Sequence, residues 1–142
     1  YLDAATQTTI EEFSTSNFVG FDSENKKYVT PKSSSVLPSI TNKSLMTIAE
    51  EEGLTVEERE IPIEEMESFD EVMAVGTAVV VTPIGSVTKL GQEDDKSDEK
   101  KFVFGDSEKI GPMTRKLYDR VRAIQYGEEE DKFGWNFRLS KK

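Results

Sequence analysis

The chain has 142 residues, enough for one domain with a real core. Charged residues make up 32% of it and the formal net charge is −10, which argues against a general nucleic-acid binder, since that task needs a clustered basic face. Zero Cys excludes a disulfide framework and thiolate chemistry, zero His removes the commonest metal ligand and general base, and no run approaches the roughly 20 apolar residues of a membrane span. Chemistry, if present, falls to carboxylates, hydroxyls, amines or a cofactor.

Taken in order, Tyr1 to Asp3, Thr9 to Phe13, Asn17 to Asp22 and Lys27 to Thr30 read as short strands. The polar turn Asp22-Ser23-Glu24-Asn25-Lys26 predicts a hairpin between the last two. A Ser-rich loop leads to a helix from Ile40 to about Glu52, with Leu45, Ile48, Ala49 and Glu52 at helical spacing and Gly53 as its stop. Ser39 is its expected N-cap, leaving the N–H groups of Ile40, Thr41 and Asn42 unpaired within the helix.

Leu54 to Ile61 predicts a strand with a wet face, and Ile63 to Ser68 a short acidic helix. Two strands are expected around Gly76-Thr77-Ala78, the second holding Val79, Val80 and Val81, whose β-branched side chains suit a buried pleat. Gly85 to Leu90 is a further strand, Gln92 to Lys101 a mobile polar loop, and Phe102 to Phe104 a strand again. Gly111-Pro112 opens the last helix, with Met113, Leu117, Val121 and Ile124 as its apolar stripe up to Tyr126-Gly127. The expected fold is one α/β (α+β mixed) domain over residues 1–142, a mixed sheet with about three helices.

Three segments carry chemistry. Glu11 and Glu12 sit in succession on a strand and point to opposite faces, so one faces inward, where a carboxylate wants a cationic partner such as a protonated ring nitrogen. The alternative is a solvated edge with two surface acids. Leu37-Pro38-Ser39-Ile40-Thr41 places free N–H groups and hydroxyls at a helix start, an anion site or simply a capped helix. Gly76-Thr77-Ala78 either bulges a buried sheet or lets backbone N–H groups approach a bound anion. Convergence of the three would suit a ligand with phosphate and ring nitrogen at opposite ends, as in a phosphorylated pyridine cofactor.

In order and spacing, Glu12-Phe13-Ser14-Thr15-Ser16-Asn17-Phe18, Leu37-Pro38-Ser39-Ile40-Thr41 and Gly76-Thr77-Ala78 with Thr82-Pro83 resemble the branched-chain aminotransferases, pyridoxal-phosphate enzymes of fold type IV. Gly111-Pro112-Met113-Thr114, Ile124-Gln125-Tyr126-Gly127 and Asp131-Lys132-Phe133-Gly134-Trp135 resemble that family's C-terminal region. The resemblance covers nearly the whole chain but only about the C-terminal half of a family member. It implies the C-terminal domain of the D-amino acid aminotransferase-like fold, a mixed sheet or pseudo-barrel, and pyridoxal 5'-phosphate as cofactor.

The resemblance also implies roles. Glu12 pairs with the pyridine nitrogen and Thr15 and Leu37 lie against the ring. The N–H groups of Ile40 and Thr41 hold the phosphate, helped by the Thr77 hydroxyl beside Gly76. Thr77 and Ala78 offer N–H groups to the substrate carboxylate, and Asn17 supports the loop around Glu12. Family members commonly have Gly where this chain has Ser39. None of the 13 lysines stands where the family has its Schiff-base Lys, which lies upstream of the Glu12 motif, so no catalytic residue is assigned.

The complete enzyme would exchange Leu, Ile or Val with 2-oxoglutarate, as a homodimer without nucleic acid or membrane partners. It would need an N-terminal domain that this chain lacks, and the chain alone is expected to be inactive. Another fold type IV enzyme (a D-amino acid aminotransferase or aminodeoxychorismate lyase) and a non-catalytic binding domain of the same fold remain as alternatives. A cytoplasmic setting is expected, with a mitochondrial one open because any targeting segment would lie upstream of Tyr1.

Overall fold

A six-stranded mixed sheet organises the chain. In the computed structural model, which describes residues 1–91, 98–106, 109–137 and 139, the elements are β1 (Glu12–Phe13), β2 (Ser16–Asp22), β3 (Lys27–Pro31), α1 (Ile40–Glu51), β4 (Thr55–Arg59), a 3-10 helix (Ile63–Ser68), β5 (Glu71–Gly76), β6 (Val80–Ile84), β7 (Ser86–Lys89), β8 (Lys100–Val103) and α2 (Pro112–Tyr126). The sheet order is β4-β3-β2-β5-β6, with β1 paired to β2; β7 and β8 form a separate antiparallel pair. Among the described strands, β3 and β4 are the one parallel pair, as the α1 crossover between them requires. The mixed sheet and three helices agree with the expected fold class.

The sheet is covered on both sides, which is why β2 is buried without a break from Asn17 to Asp22, with Phe18 to Phe21 as its apolar centre. On one side Val19, Tyr28, Met73 and Val81 meet Leu45 and Ile48 of α1 and Leu117, Val121 and Ile124 of α2. On the other, Phe18, Val29 and Val72 meet Ile61, Phe69 and Phe102. Gly20 of β2 is small because the Phe69 ring lies over it: a Cβ there would come 2.6 Å from that ring. The expected helical stripes hold, with Thr114 added to the buried face of α2. Both helices end beside a left-handed glycine, Gly53 at φ +80° and Gly127 at φ +74°.

The hairpin forms with Asp22 opposite Lys27, and the Asp22 carboxylate accepts from the Asn25 backbone and side chain. Several expectations need correction. Tyr1–Asp3 and most of Thr9–Phe13 are reduced to isolated bridges, Leu2 with Ile10 and Thr9 with Pro62. The Asp3 carboxylate collects the N–H groups of Thr6, Thr8 and Thr9 at 2.7–2.9 Å and curls the segment. The short acidic helix at Ile63–Ser68 forms as expected, in 3-10 geometry. The strand at Leu54–Ile61 shortens to Thr55–Arg59. Of the polar loop over 92–101, residues 92–97 lie outside the described residues, while Lys100 and Lys101 belong to β8. Val79 is not in a strand: β6 starts at Val80.

Candidate functional site

Four segments meet in a groove of about 320 Å³ at one end of the sheet: β1 with its turn, the start of β2, the approach to α1 and the end of β5. Glu12, Thr15, Leu37, Ile40, Gly76 and Thr77 all line it. Thr41 and Ala78 do not; each is the next residue in the chain after a lining one. The structure thus brings together residues up to 65 positions apart that were singled out separately.

Glu12 is half-buried, and among the described residues its carboxylate accepts from two neutral donors, the Asn17 amide at 3.5 Å and the Leu37 N–H at 3.4 Å. Among the described residues no cation pairs with it. Asn17 is buried in β2 and also donates to the Leu37 carbonyl at 3.0 Å. It therefore ties the strand that carries Glu12 to the loop that leads into α1, the supporting place expected for it. Glu11 points elsewhere and accepts from Ser33 at 3.0 Å. Both acids are half-buried, so the alternation separates their partners without burying one and exposing the other.

At the start of α1, Ser39 has extended geometry and its hydroxyl accepts from the Asn42 N–H at 3.1 Å. The cap thus takes Asn42 out of the set of unpaired donors expected there. Among the described residues nothing accepts from the N–H groups of Ile40 and Thr41, as is usual for the first donors of a helix. The N-terminus of α2 is filled instead. The buried Glu71 accepts from Met113 N–H at 3.0 Å and Thr114 N–H at 2.7 Å. Among the described residues, α1 is the α-helix whose positive end stays available to a guest.

The Gly76-Thr77-Ala78 break is a tight connection in which Gly76 pairs with Val80. Space does not demand glycine at position 76: a Cβ would meet Ser16 Cβ at 3.6 Å and Thr15 O at 3.7 Å, ordinary contacts. The unusual backbone falls on Val80, at φ +69°, where the Val81 N–H closes a γ-turn onto the Val79 carbonyl at 2.9 Å. A β-branched residue held there costs of order 1–3 kcal/mol. Periodicity could not reveal this, because three consecutive valines read as an ordinary strand.

The profile of the class IV amino-transferase family matches residues 2–87, well over half of the chain. The chain belongs to the class IV aminotransferases. It is 43% identical over 136 residues to a branched-chain-amino-acid aminotransferase of Haemophilus influenzae, covering 95% of this chain and 37% of that protein. Among solved structures it is similar to the branched-chain amino acid aminotransferase of Escherichia coli, with a TM-score of 0.73, 30% identity and coverage of 92% of this chain and 39% of that one. It is likewise similar to the branched-chain aminotransferase of Thermoproteus uzoniensis with norvaline, with a TM-score of 0.72 and 28% identity over 94% of this chain and 39% of that one. The chain spans well under half the length of these relatives. No described helix is long and apolar enough to cross a membrane.

The class IV enzymes use pyridoxal phosphate, and the groove can be compared with that group. An unpaired carboxylate at Glu12 suits a protonated ring nitrogen. The open start of α1, with the Thr77 side chain in the same groove, suits a phosphate. Among the described residues no lysine lines the groove, so their donor set fits the two ends of the cofactor and leaves out a partner for the aldehyde.

Proposed function

We propose that residues 1–142 form the cofactor-binding domain of a branched-chain amino acid transaminase. Supporting it most directly is the shared groove of Glu12 and the open start of α1. In this reading Glu12 holds the pyridine N–H, with Asn17 keeping its carboxylate in place. Ile40 and Thr41 give backbone N–H groups to the phosphate and Thr77 its hydroxyl. Thr15 and Leu37 bracket the ring, Gly76 borders it, and the N–H groups of Thr77 and Ala78 receive the substrate carboxylate. When bound, pyridoxal phosphate supplies the electron sink that lets an amino acid lose its α-proton. Glu12 would keep the nitrogen of a bound ring protonated, which is what would make that sink effective.

The linking lysine, the rest of the side-chain pocket and the second subunit of a homodimer belong to the complete enzyme, whose substrates would be Leu, Ile or Val with 2-oxoglutarate. This chain by itself is expected to show no transamination. In a protein that joins it to a lysine-bearing partner domain, leucine should yield glutamate from 2-oxoglutarate, and Glu12→Ala should lower kcat by about 100-fold or more. Turnover of D-alanine without leucine would replace the branched-chain reading with that of a D-amino acid aminotransferase. Unchanged kcat in Glu12→Ala would remove Glu12 from the site.

A further inference from the structure

Behind the groove lies a buried polar chain that neither the motifs nor the proposed cofactor contacts use. Tyr28 in β3 is fully buried and its hydroxyl donates to Asn42 Oδ1 at 2.6 Å. The Asn42 amide donates to Thr30 Oγ1 at 3.0 Å, and the Thr30 hydroxyl donates to the Phe18 carbonyl at 2.9 Å. Burial pushes the Tyr28 phenol well above its ordinary range, so it stays a donor. Each bond in the chain therefore has a fixed direction, which also fixes the orientation of the Asn42 amide.

Asn42 is the third residue of α1, and its backbone N–H is the one taken by Ser39. Asn42 thus joins the cap of α1 to β3 through both Tyr28 and Thr30, and the Thr30 hydroxyl carries the chain on to β2. Phe18, at the far end of the chain, follows Asn17, which holds the Glu12 carboxylate. The network spans from the helix start to the strand that supports the acid. Apolar packing holds α1 against the sheet through Leu45, Ile48 and Ala49, but such contacts are non-directional and tolerate small slides and rotations. Directional bonds at the first turn remove that freedom.

We propose that Tyr28, Asn42 and Thr30 are positioning residues that aim the open N–H groups of Ile40 and Thr41 at the phosphate end of the ligand. This rests on the cofactor reading of the groove and extends it to residues that do not touch the groove. The network has two consequences: it stabilises the fold, as any satisfied buried network does, and it sets the phosphate-dependent part of binding. Only the second is specific to the proposal.

The test compares dissociation constants of pyridoxal 5'-phosphate and pyridoxal for this chain, by absorbance titration. Tyr28→Phe deletes one hydroxyl and leaves Asn42 Oδ1 without its donor. The preference for the phosphorylated form is expected to fall about five- to tenfold, the equivalent of one hydrogen bond, with pyridoxal affinity unchanged. Thr30→Val should do the same, and Thr30→Ser, which keeps the hydroxyl, should retain the wild-type preference. An equal weakening for both ligands, or none, would overturn the proposal.

Amide exchange supplies an arm that needs no ligand. Tyr28→Phe should speed exchange at Asn42 and Lys43, whose N–H groups bond to Ser39, and leave the later amides of α1 unchanged. Uniform acceleration along α1 would mean general destabilisation and would also overturn it. A wild-type chain with no preference for the phosphorylated form would refute the cofactor reading instead, and the exchange result would then decide the role of the network alone.

Discussion

Glu12 and Glu71 are carboxylates that no cation pairs with among the described residues, yet they act differently. Glu71 spends both oxygens on the first turn of α2, after Pro112, which has no N–H to offer. Its position also explains Gly111, where a Cβ would come 2.1 Å from the Glu71 carboxyl carbon. Glu12 meets only two long contacts from neutral donors and keeps capacity for a stronger one. Glu71→Ala is therefore expected to lower stability by about 2–3 kcal/mol, because it leaves one buried and one part-buried donor open. Urea unfolding would show this, and a loss below about 0.5 kcal/mol would mean that other groups close the helix end as well.

Between elements, an ionic clamp joins the end of α1 to α2 and to the segment after it. Arg120 reaches Glu52 at 3.0 Å, Glu51 at 3.1 Å and Glu129 at 2.7 Å; Lys116 adds to Glu52 and Lys132 adds to Glu51. The hydrogen bond from Lys132 chiefly holds Glu51 below the ordinary glutamate value of 4.5, and that from Lys116 does the same for Glu52; Arg120 adds to both, against a cost from burial. A depressed folded pKa gives stability that is present above 4.5 and lost as the pH falls through the folded values. Arg120→Ala should lower stability near neutral pH, by no more than about 1 kcal/mol because solvent screens these pairs. The gap to wild type should narrow as the pH drops below 4.5, read from urea midpoints. A gap independent of pH would contradict the clamp.

At the scale of the whole molecule, what was legible in the sequence was local or carried by motifs. The stripes of α1 and α2, the Asp22–Lys26 turn and the glycine stops follow from spacing of a few residues. The three segments of the groove could be singled out because each holds its own donors or acids. Their convergence depends on the sheet order, which periodicity does not encode. The same holds for Glu71 with α2, 42 and 43 residues apart, and for Tyr28 with Asn42, 14 apart. Val80 escaped because its side chain suits a strand while its backbone departs from one. The short helix at Ile63–Ser68 was legible, though composition does not choose between 3-10 and α geometry.

Leu37, Ile40 and Val79, at or beside the groove, are 73%, 78% and 63% exposed. Apolar side chains left open around a polar site suit a chain that spans well under half of its relatives' length. The central claim, that this groove holds pyridoxal phosphate, is tested most directly by adding the cofactor to the isotope-labelled chain and following backbone amide shifts. The account predicts the largest changes at Glu12, Ile40, Thr41 and Thr77, and markedly smaller ones with pyridoxal at Ile40 and Thr41. Changes concentrated elsewhere, or equal responses to the two compounds at the start of α1, would contradict it.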